Sequence, residues 1–233
     1  MKISGLQKMT LLDYPGKVAC TVFLAGCNFR CPFCHNSQLL DGSAEEVMER
    51  DEFLRFLGTR KGLLDAVCVS GGEPTLQAEL PEFLEQIKAM GFEVKLDTNG
   101  SRPHVLKELF GRGLVDYVAM DIKSSPAGYA QSAGVDADLT PLEESIRLLT
   151  SGAVDYELRT TVVQQLHNVQ TVTEMGEWVA GLAGGKKISR WFVQPFVDRD
   201  TVMFSGLCSP SHEEMSEFVD VLRGFAEETS VRG

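Results

Sequence analysis

The chain lacks long apolar runs and low-complexity tracts. No stretch approaches the ~20 apolar residues that a membrane-spanning helix needs, and the first residues, Met1-Lys2-Ile3-Ser4-Gly5, lack the apolar core of a secretory signal. We therefore expect a cytoplasmic protein with no membrane partner. Since no linker-like stretch divides the 233 residues, we also expect residues 1–233 to form a single domain.

Basic residues are scarce relative to acidic ones. The chain has 22 Lys and Arg against 33 Asp and Glu, which gives a net charge of -11. An acidic chain is repelled on average by phosphate backbones, and the sequence contains no local basic patch that would offset this repulsion. We therefore expect no nucleic-acid partner, although the charge by itself selects no other function.

Three of the six cysteines lie close together, as Cys27, Cys31 and Cys34. A structural zinc ion or a closed iron-sulfur cluster normally takes four protein ligands, so three thiolates indicate a centre with one open position. His35 adjoins Cys34 directly, and adjacent residues rarely bind the same ion, so we interpret it as a support for the site. An odd number of cysteines also argues against a disulfide. The pattern favours an open 4Fe-4S cluster.

The other three cysteines have simpler interpretations. Cys20 and Cys68 lie within apolar, strand-like runs, and Cys208 stands alone in a predicted loop. Small buried residues and an isolated thiol explain them better than a second cluster does. We therefore expect one cluster and one metal centre.

Apolar runs alternate regularly with helix-like segments. The predicted strands are Val18 to Leu24, Ala66 to Ser70, Phe92 to Leu96, Val115 to Met120, Tyr156 to Val163 and Trp191 to Phe196. The predicted helices are Glu45 to Leu57, Leu80 to Met90, His104 to Phe110, Leu142 to Thr150, Val172 to Leu182 and Glu213 to Ala226. This alternation predicts an α/β fold with a parallel sheet. Eight units would need ~250 residues, so we expect an incomplete (β/α)6 barrel of the TIM type.

The polar motifs of the chain follow the predicted strands. The cysteine loop comes after the first strand, and Gly71-Gly72-Glu73-Pro74 comes after the second. Asp97-Thr98-Asn99-Gly100 and Asp121-Ile122-Lys123 follow the third and the fourth. Enzymes with parallel sheets carry their chemistry at the carboxyl ends of the strands. These segments are therefore expected to form one active site.

Two motifs together carry a family resemblance. The spacing Cys27-x3-Cys31-x2-Cys34, with Phe33 before the last cysteine, and the segment Gly71-Gly72-Glu73-Pro74 resemble the radical S-adenosylmethionine (SAM) enzymes. Two further segments, Thr10-Leu11-Leu12-Asp13-Tyr14-Pro15-Gly16 and Cys34-His35-Asn36, are most similar to the activating proteins of anaerobic ribonucleoside-triphosphate reductase. The resemblance covers nearly the whole chain.

The resemblance implies an oxidoreductase with a defined set of cofactors. In that family three cysteines hold a 4Fe-4S cluster, which reductively cleaves S-adenosylmethionine, and the resulting radical removes a hydrogen atom from a glycine of a partner glycyl-radical enzyme. A flavodoxin or ferredoxin is the implied electron donor. A monovalent cation near the carboxylates at the strand ends is also compatible with the resemblance.

The resemblance also implies which residues bind the cofactor. The Gly71 to Pro74 segment would receive the methionyl end, with Glu73 accepting from its ammonium group. Lys123 and Arg159 could pair with its carboxylate, and Gln194 could reach the ribose. The full set of expected cofactor-binding residues is Phe33, Gly71, Gly72, Glu73, Pro74, Asp97, Thr98, Asn99, Asp121, Lys123, Arg159 and Gln194.

Plainer interpretations exist for several of these residues. Gly71 to Pro74 and Asp97 to Gly100 are also typical turn sequences, and Lys123 would then be an ordinary surface lysine. His167 and His212 fit loop or helix-start positions, and Trp178 and Trp191 fit core or surface positions. For the whole protein, two other functions stay open: a radical SAM enzyme that acts on a small molecule, such as a pterin-like substrate, and a non-catalytic metal-binding module.

Overall fold

The computed structural model describes residues 1–41 and 43–232, which divide into two compact units. The first unit comprises Met1–Asn28, Gln38–Thr98 and His104–Ala119, and the second comprises Phe29–Ser37, Asn99–Pro103 and the chain from Met120 onwards. In the part of the chain that is described, no helix has both the length and the apolar character needed to span a bilayer.

The first unit alternates strands with helices. Its elements are β1 (Ile3–Thr10), β2 (Ala19–Leu24), α1 (Arg50–Gly58), β3 (Ala66–Gly71), α2 (Leu80–Ala89), β4 (Glu93–Thr98), α3 (Pro103–Gly111) and the first three residues of β5 (Tyr117–Asp121). The strands are ordered β1-β2-β3-β4-β5. β1 pairs with β2 in antiparallel orientation, whereas β2 with β3 and β3 with β4 are parallel.

Buried aliphatic side chains explain why these strands form. Five of the six residues of β2, and the first four of β3, are buried, as expected for strands of a parallel sheet that is covered on both faces. α2 has Pro81 in its first turn and is followed by Gly91, whose φ of +93° is accessible chiefly to glycine. Local residue chemistry therefore sets both ends of α2.

The second unit continues the same alternation. It holds the end of β5 and then α4 (Tyr129–Ala133), α5 (Thr140–Thr150), β6 (Asp155–Val162), α6 (Val169–Leu182), β7 (Ile188–Pro195), α7 (His212–Leu222) and β8 (Ala226–Val231). The strand order is β5-β6-β7-β8, and the pairs β6 with β7 and β7 with β8 are parallel. α7 begins with a capping box between Ser211 and Glu214.

The six predicted strands are all present, as β2 to β7, with ends that differ from the prediction by no more than three residues. Two further strands were not predicted. β1 mixes glycine and polar residues and buries only Ile3 and Thr10, and β8 buries only Ala226. Neither strand has the apolar run that identified the others. The short helix α4 was also not predicted.

Two predicted helix boundaries are wrong. The first helix was expected to begin at Glu45, but α1 begins at Arg50 because the segment before it pairs with β1, where the Val47 amide donates to the Ile3 carbonyl at 2.9 Å. The last helix was expected to continue to Ala226, but it ends at Leu222, and Ala226 begins β8 instead. In both cases strand pairing overrides the local helical pattern.

Candidate active site

In the first unit, the ends of β2 and β3 approach so closely that only glycine fits. Gly71 has a φ of +130°, and a Cβ added to it would lie 2.2 Å from the Leu24 carbonyl oxygen. A Cβ on Gly72 would lie 2.1 Å from the Gly26 carbonyl oxygen. The amides of Gly72 and Glu73 donate to these same two carbonyls, at 2.9 and 2.7 Å. The two glycines therefore join the start of the cysteine loop to the end of β3.

Glu73 is a fully buried carboxylate beside these glycines. Its Oε1 accepts from the Thr75 amide at 3.1 Å, from the Thr75 hydroxyl, and from the Thr98 hydroxyl at 2.8 Å. A buried charge requires such donors. The turn interpretation is also correct locally, because Pro74–Leu76 form one turn of 3-10 helix that Glu73 caps. Thr98, at the end of β4, is thereby brought to Glu73.

Asp97 pairs with a residue that the sequence did not single out. The Lys95 ammonium lies 2.5 Å from Asp97 Oδ1, and the Lys95 side chain is only 1% exposed. The two residues are separated by one position on β4, so their side chains emerge on the same face of the strand. Lys95 stands between Val94 and Leu96 in a predicted buried strand, and its charge there is the sequence signal that could have identified this pair.

Cys27 belongs to the first unit, at the start of the cysteine loop. Its amide donates to the Leu40 carbonyl at 3.0 Å, and the Gly26 amide donates to the Leu39 carbonyl at 2.6 Å. A Cβ on Gly72 would lie 3.2 Å from the Cys27 Cβ. Cys27 is therefore held beside the Gly71–Pro74 segment by backbone contacts.

The Thr10 to Gly16 segment lies at the opposite end of β2 from Cys27. Tyr14 is buried there, 5.5 Å from the ring of Tyr117, and its hydroxyl donates to Glu93 Oε2 at 2.9 Å. Gly16 provides a turn with a φ of +73°, and Lys17 pairs with Glu93 at 2.6 Å. This segment thus contributes to the core of the first unit.

In the second unit, Cys31 and Cys34 lie one turn apart. The Cys34 amide donates to the Cys31 carbonyl at 3.1 Å. Burial raises the pKa of the Cys34 thiol, although the nearby Lys123 charge acts in the opposite direction. A bound metal deprotonates a coordinating thiol despite such burial. The thiol of the free loop is therefore expected to be largely protonated at neutral pH.

His35 contacts the segment after β7. Its ring stacks on Phe196, with centroids 5.8 Å apart, and its Nε2 lies 2.7 Å from the Val197 carbonyl oxygen. Since a carbonyl can only accept, we assign the proton to Nε2. The Ser37 hydroxyl donates to the Thr201 carbonyl in the same region. These contacts tie the end of the cysteine loop to the connection between β7 and α7.

Asp121, Lys123 and Arg159 form an ion cluster. Lys123 Nζ lies 2.9 Å from Asp121 Oδ2, and Arg159 Nε lies 3.1 Å from Asp121 Oδ1. Burial alone would raise the pKa of Asp121, but the two cations outweigh it and lower the pKa to about 2. Burial likewise lowers the pKa of Lys123, and the Asp121 charge outweighs it and raises the pKa. Lys123 is only 15% exposed, so it is not an ordinary surface lysine.

His167 organises the region around Phe33 and Lys123, a role that the sequence did not suggest. Phe33 is buried, with its ring edge-to-face against His167 at 6.5 Å. His167 Nδ1 accepts from the Val163 amide at 3.0 Å, and its Nε2 lies 2.8 Å from the Lys123 carbonyl oxygen. Burial lowers the pKa of His167, so the imidazole is neutral, with the proton on Nε2.

The remaining predicted residues have more local contacts. Asn99 Oδ1 accepts from the Ser101 amide at 2.9 Å, which is the turn chemistry expected of an Asn-Gly sequence. Gln194 lies on β7 opposite Thr161 of β6. Trp191 is buried with its Nε1 on Thr160, and Trp178 packs edge-on against Tyr129, so both tryptophans are structural.

The cysteines outside the loop are buried or isolated thiols, as expected from the sequence. Cys20 and Cys68 are fully buried, and burial raises the pKa of Cys20 to about 12 and raises that of Cys68 further. Both are therefore neutral thiols at physiological pH. Cys208 is exposed.

The loop cysteines match the donor chemistry of an iron-sulfur cluster. Among residues 1–41 and 43–232, no three His, Cys, Asp or Glu side chains are gathered tightly enough to hold a single metal ion. A cluster makes a different demand, because each cysteine binds a separate iron and the sulfurs need not converge on one point. Within the second unit, Cys31 and Cys34 lie one turn apart and offer two such thiols.

Comparison with known proteins gives a consistent result. The family model described as "Radical SAM superfamily" matches residues 21–173. A protein of Methanocaldococcus jannaschii, provisionally named a glycyl-radical enzyme activating enzyme, is 30% identical over 242 residues, which cover 99% of this chain and 95% of that protein. A protein of Thermococcus kodakarensis, provisionally named a GTP 3',8-cyclase, is 31% identical over 159 residues, 66% of this chain and 50% of its own.

A solved structure supports the fold. Streptococcus suis SuiB, bound to its precursor peptide SuiA, has a TM-score of 0.70 at 12% identity, covering 91% of this chain and 48% of SuiB. The chain thus spans about half the length of SuiB and of the Thermococcus protein. Together with the family match, this similarity confirms the predicted fold class, a parallel α/β fold of the incomplete-barrel type.

Proposed function

The chain belongs to the radical SAM superfamily and, within it, to the glycyl-radical enzyme activating enzymes, and from this premise we propose that it removes a hydrogen atom from one glycine of a partner enzyme. It is therefore an oxidoreductase. The observation that carries the proposal is the near-complete alignment with the Methanocaldococcus protein, since both chains are covered almost from end to end.

The proposal assigns the cluster to Cys27, Cys31 and Cys34. The bound cluster supplies the electron that splits the sulfonium of S-adenosylmethionine and so provides the radical that takes the hydrogen atom. The protein binds and orients the cofactor and excludes water from the reacting atoms. Gly71, Gly72 and Pro74 shape the backbone that receives the methionyl end, where Glu73, already oriented by its threonine donors, accepts from the ammonium group.

Other residues would hold the remaining groups of the cofactor. Lys123 and Arg159 share Asp121 and would additionally attract the cofactor carboxylate. Phe33 would face the adenine, and Gln194 the ribose. The other proposed cofactor-binding residues are Asp97, Thr98 and Asn99, with a monovalent cation near the carboxylates.

The proposed partner is an anaerobic ribonucleoside-triphosphate reductase. Thr10 to Gly16 and Cys34 to Asn36 support this choice, because they resemble the activators of that enzyme. A flavodoxin or ferredoxin would deliver the electron in the cytoplasm. We further propose that the whole chain acts as one domain.

Electron paramagnetic resonance tests the proposal. The protein is reconstituted anaerobically with iron and sulfide, reduced with dithionite, and mixed with S-adenosylmethionine and the glycyl-radical enzymes of its own genome. A stable glycyl radical is expected on the reductase, and the variant Cys31→Ser should lose cluster iron, cofactor cleavage and the radical. Absence of a radical on every candidate partner would refute the proposal, and unchanged cleavage by Cys31→Ser would refute the cluster assignment.

The second candidate is a radical SAM enzyme that acts on a small molecule. The similarity to the Thermococcus protein favours it, since the name of that protein describes a nucleotide cyclase. Turnover of GTP or a pterin precursor by the reconstituted protein, without any partner enzyme, would support this candidate over the first.

A further inference from the structure

A cavity of about 550 Å³ lies in the second unit, beside the cysteine loop. Arg30 and Pro32, which flank Cys31 in the chain, form part of its lining. Gln131 of α4 contributes another part, and the connection between β7 and α7 contributes Met203, Phe204 and Leu207. Apart from the cysteine loop, these segments follow the carboxyl ends of β5 and β7, where enzymes of this architecture bind their substrates.

The wall formed by the β7–α7 connection is apolar and held in place. The adjacent residues Met203 and Phe204 are 50% and 55% exposed, so they present apolar side chains to a ligand in the cavity. Gln165 Nε2 donates to the Gly206 carbonyl at 3.1 Å, and Gln165 Oε1 accepts from the Cys208 amide at 3.0 Å. The amide side chain of Gln165 therefore bonds to the residues immediately before and after Leu207 and holds this segment in place.

The part of the lining that comes from α4 and the cysteine loop is also held by close contacts. The Arg30 amide donates to the Ala133 carbonyl at 2.8 Å, at the end of α4. A Cβ on Gly134 would lie 1.9 Å from the Arg30 carbonyl oxygen, so glycine permits this close approach. The close contact between α4 and the cysteine loop thus fixes the backbone positions of Gln131 and Arg30.

The chemistry of the lining distinguishes between classes of ligand. Among the described residues that line the cavity, Arg30 is the only charged one. A nucleoside triphosphate would require several cations or a phosphate-binding backbone. A peptide instead needs an apolar surface for its side chains and paired donors and acceptors for its backbone, and the Gln131 amide offers one donor group and one acceptor.

We propose that this cavity binds the glycine-bearing segment of the partner enzyme, with an apolar side chain next to the glycine packed against Phe204 and Leu207. The Gln131 amide pairs with the peptide backbone, and Arg30 favours an acidic side chain in the same segment. The cavity therefore determines which side chains are preferred near the glycine. This inference rests on the proposed function and specifies its substrate.

Peptide binding to the reconstituted protein tests the inference directly. The probes are short fluorescein-labelled peptides with a central glycine followed by Leu or by Ser, each with and without a neighbouring Glu. Fluorescence anisotropy should give a Kd about tenfold lower for the Leu peptide than for the Ser peptide, because a leucine side chain leaves water on binding. The Glu should lower the Kd further, and added salt should reduce that gain.

Variants identify the site that is responsible. Phe204→Ser and Leu207→Ser should each reduce the preference for Leu over Ser to about threefold or less, whereas Gln131→Ala should weaken all the peptides by a similar factor. The control is Leu63→Ser, an exposed leucine of the first unit, which should leave every Kd unchanged. Iron content after reconstitution shows whether each variant folds.

Two results would overturn the inference. One is equal binding of the Leu and Ser peptides, and the other is a preference that survives Phe204→Ser combined with Leu207→Ser. Either result could occur while the wild-type protein still generates a glycyl radical on its partner, in which case only the peptide site is wrong. Failure to generate any radical would instead refute the proposed function.

Discussion

Asp121 shows how single residues in this protein hold charge inside the fold. It terminates β5 and accepts from two cations, one two residues away in sequence and one on β6. The Asp121 carboxylate keeps Lys123 and Arg159 charged although both side chains are largely buried. Burying either cation without the carboxylate would cost free energy. A ligand carboxylate that enters this position would meet a positive region already oriented for it.

Asp121→Asn should destabilise the protein at pH 7 by about 1–3 kcal/mol, because both cations lose their charged partner while solvent at the partly exposed carboxylate screens the interaction. The pKa of Asp121 is lowered to about 2 in the folded protein and is ~3.9 in an unfolded chain. The ion cluster therefore stabilises the wild type above about pH 4, and this contribution is lost as the pH falls towards 2.

Urea unfolding at pH 7, 4 and 3 measures this effect. The difference in stability between the wild type and Asp121→Asn should shrink as the pH falls. Asp220, which pairs with Arg223 on the surface, provides the control, since Asp220→Asn should change stability by less than about 0.5 kcal/mol. A difference that is constant across this pH range would contradict the interpretation.

Thr98→Val should destabilise the protein by about 1.5–3 kcal/mol, because the buried Glu73 carboxylate loses a donor at 2.8 Å. The two side chains have nearly the same shape, so packing changes little. Chemical denaturation measures the loss, and exposed Thr59→Val, at the end of α1, serves as the comparison. If both variants lost the same stability, the Thr98 hydrogen bond would not be important to the carboxylate.

At the scale of whole elements, glycines determine how closely segments approach. Gly71 and Gly72 allow the start of the cysteine loop to contact the end of β3, and Gly134 allows α4 to contact Arg30. The loop is further held by the His35 contact with Val197. Within each unit, the part of the cysteine loop that belongs to it is thus held by contacts with neighbouring segments.

Gly134→Ala tests one of these contacts against a matched control. Gly134 and Gly184 have nearly the same backbone conformation, with φ of +67° and +68°, but a Cβ on Gly184 meets no atom within 4 Å. Gly184→Ala should therefore cost only about 1 kcal/mol of backbone strain. Gly134→Ala should cost at least about 2 kcal/mol more, because the Arg30 carbonyl must move.

Thermal unfolding and iron content after reconstitution measure both glycine variants. Gly134→Ala is expected to bind less iron than Gly184→Ala, since the displaced Arg30 adjoins Cys31. Equal stability and equal iron content in the two variants would show that the contact between α4 and the cysteine loop is unimportant.

At the scale of the whole molecule, cofactor binding should be coupled to stability. A ligand at 100 times its Kd stabilises a protein by about 2.7 kcal/mol, which corresponds to a rise in Tm of roughly 5–10 °C for a chain of this length. S-adenosylmethionine should produce this shift only in protein that carries the cluster, because the cluster provides part of the binding site.

Anaerobic differential scanning fluorimetry with increasing S-adenosylmethionine tests this coupling. Cys31→Ser, which should carry no intact cluster, is the control and should show little or no shift. An equal shift in both proteins would mean that the cofactor binds independently of the cluster.

Much of the fold could be predicted because parallel strands buried on both faces have continuous apolar sequences. Val67, Val69 and Val118 are examples, each fully buried in its strand. β1 and β8 could not be predicted in this way, because few of their residues are buried and both form by pairing with a neighbouring strand. The same pairing moved the start of the first helix from Glu45 to Arg50.

The sequence by itself determined the three-cysteine loop, the two-glycine segment and the six buried strands, because each depends on residue types at short spacing. Only the tertiary structure decided that Arg159 pairs with Asp121, that Lys95 neutralises Asp97, that His167 lies between Phe33 and Lys123, and that separate loops enclose one cavity. Most of these contacts join residues far apart in the chain, and local periodicity carries no information about which distant residues meet.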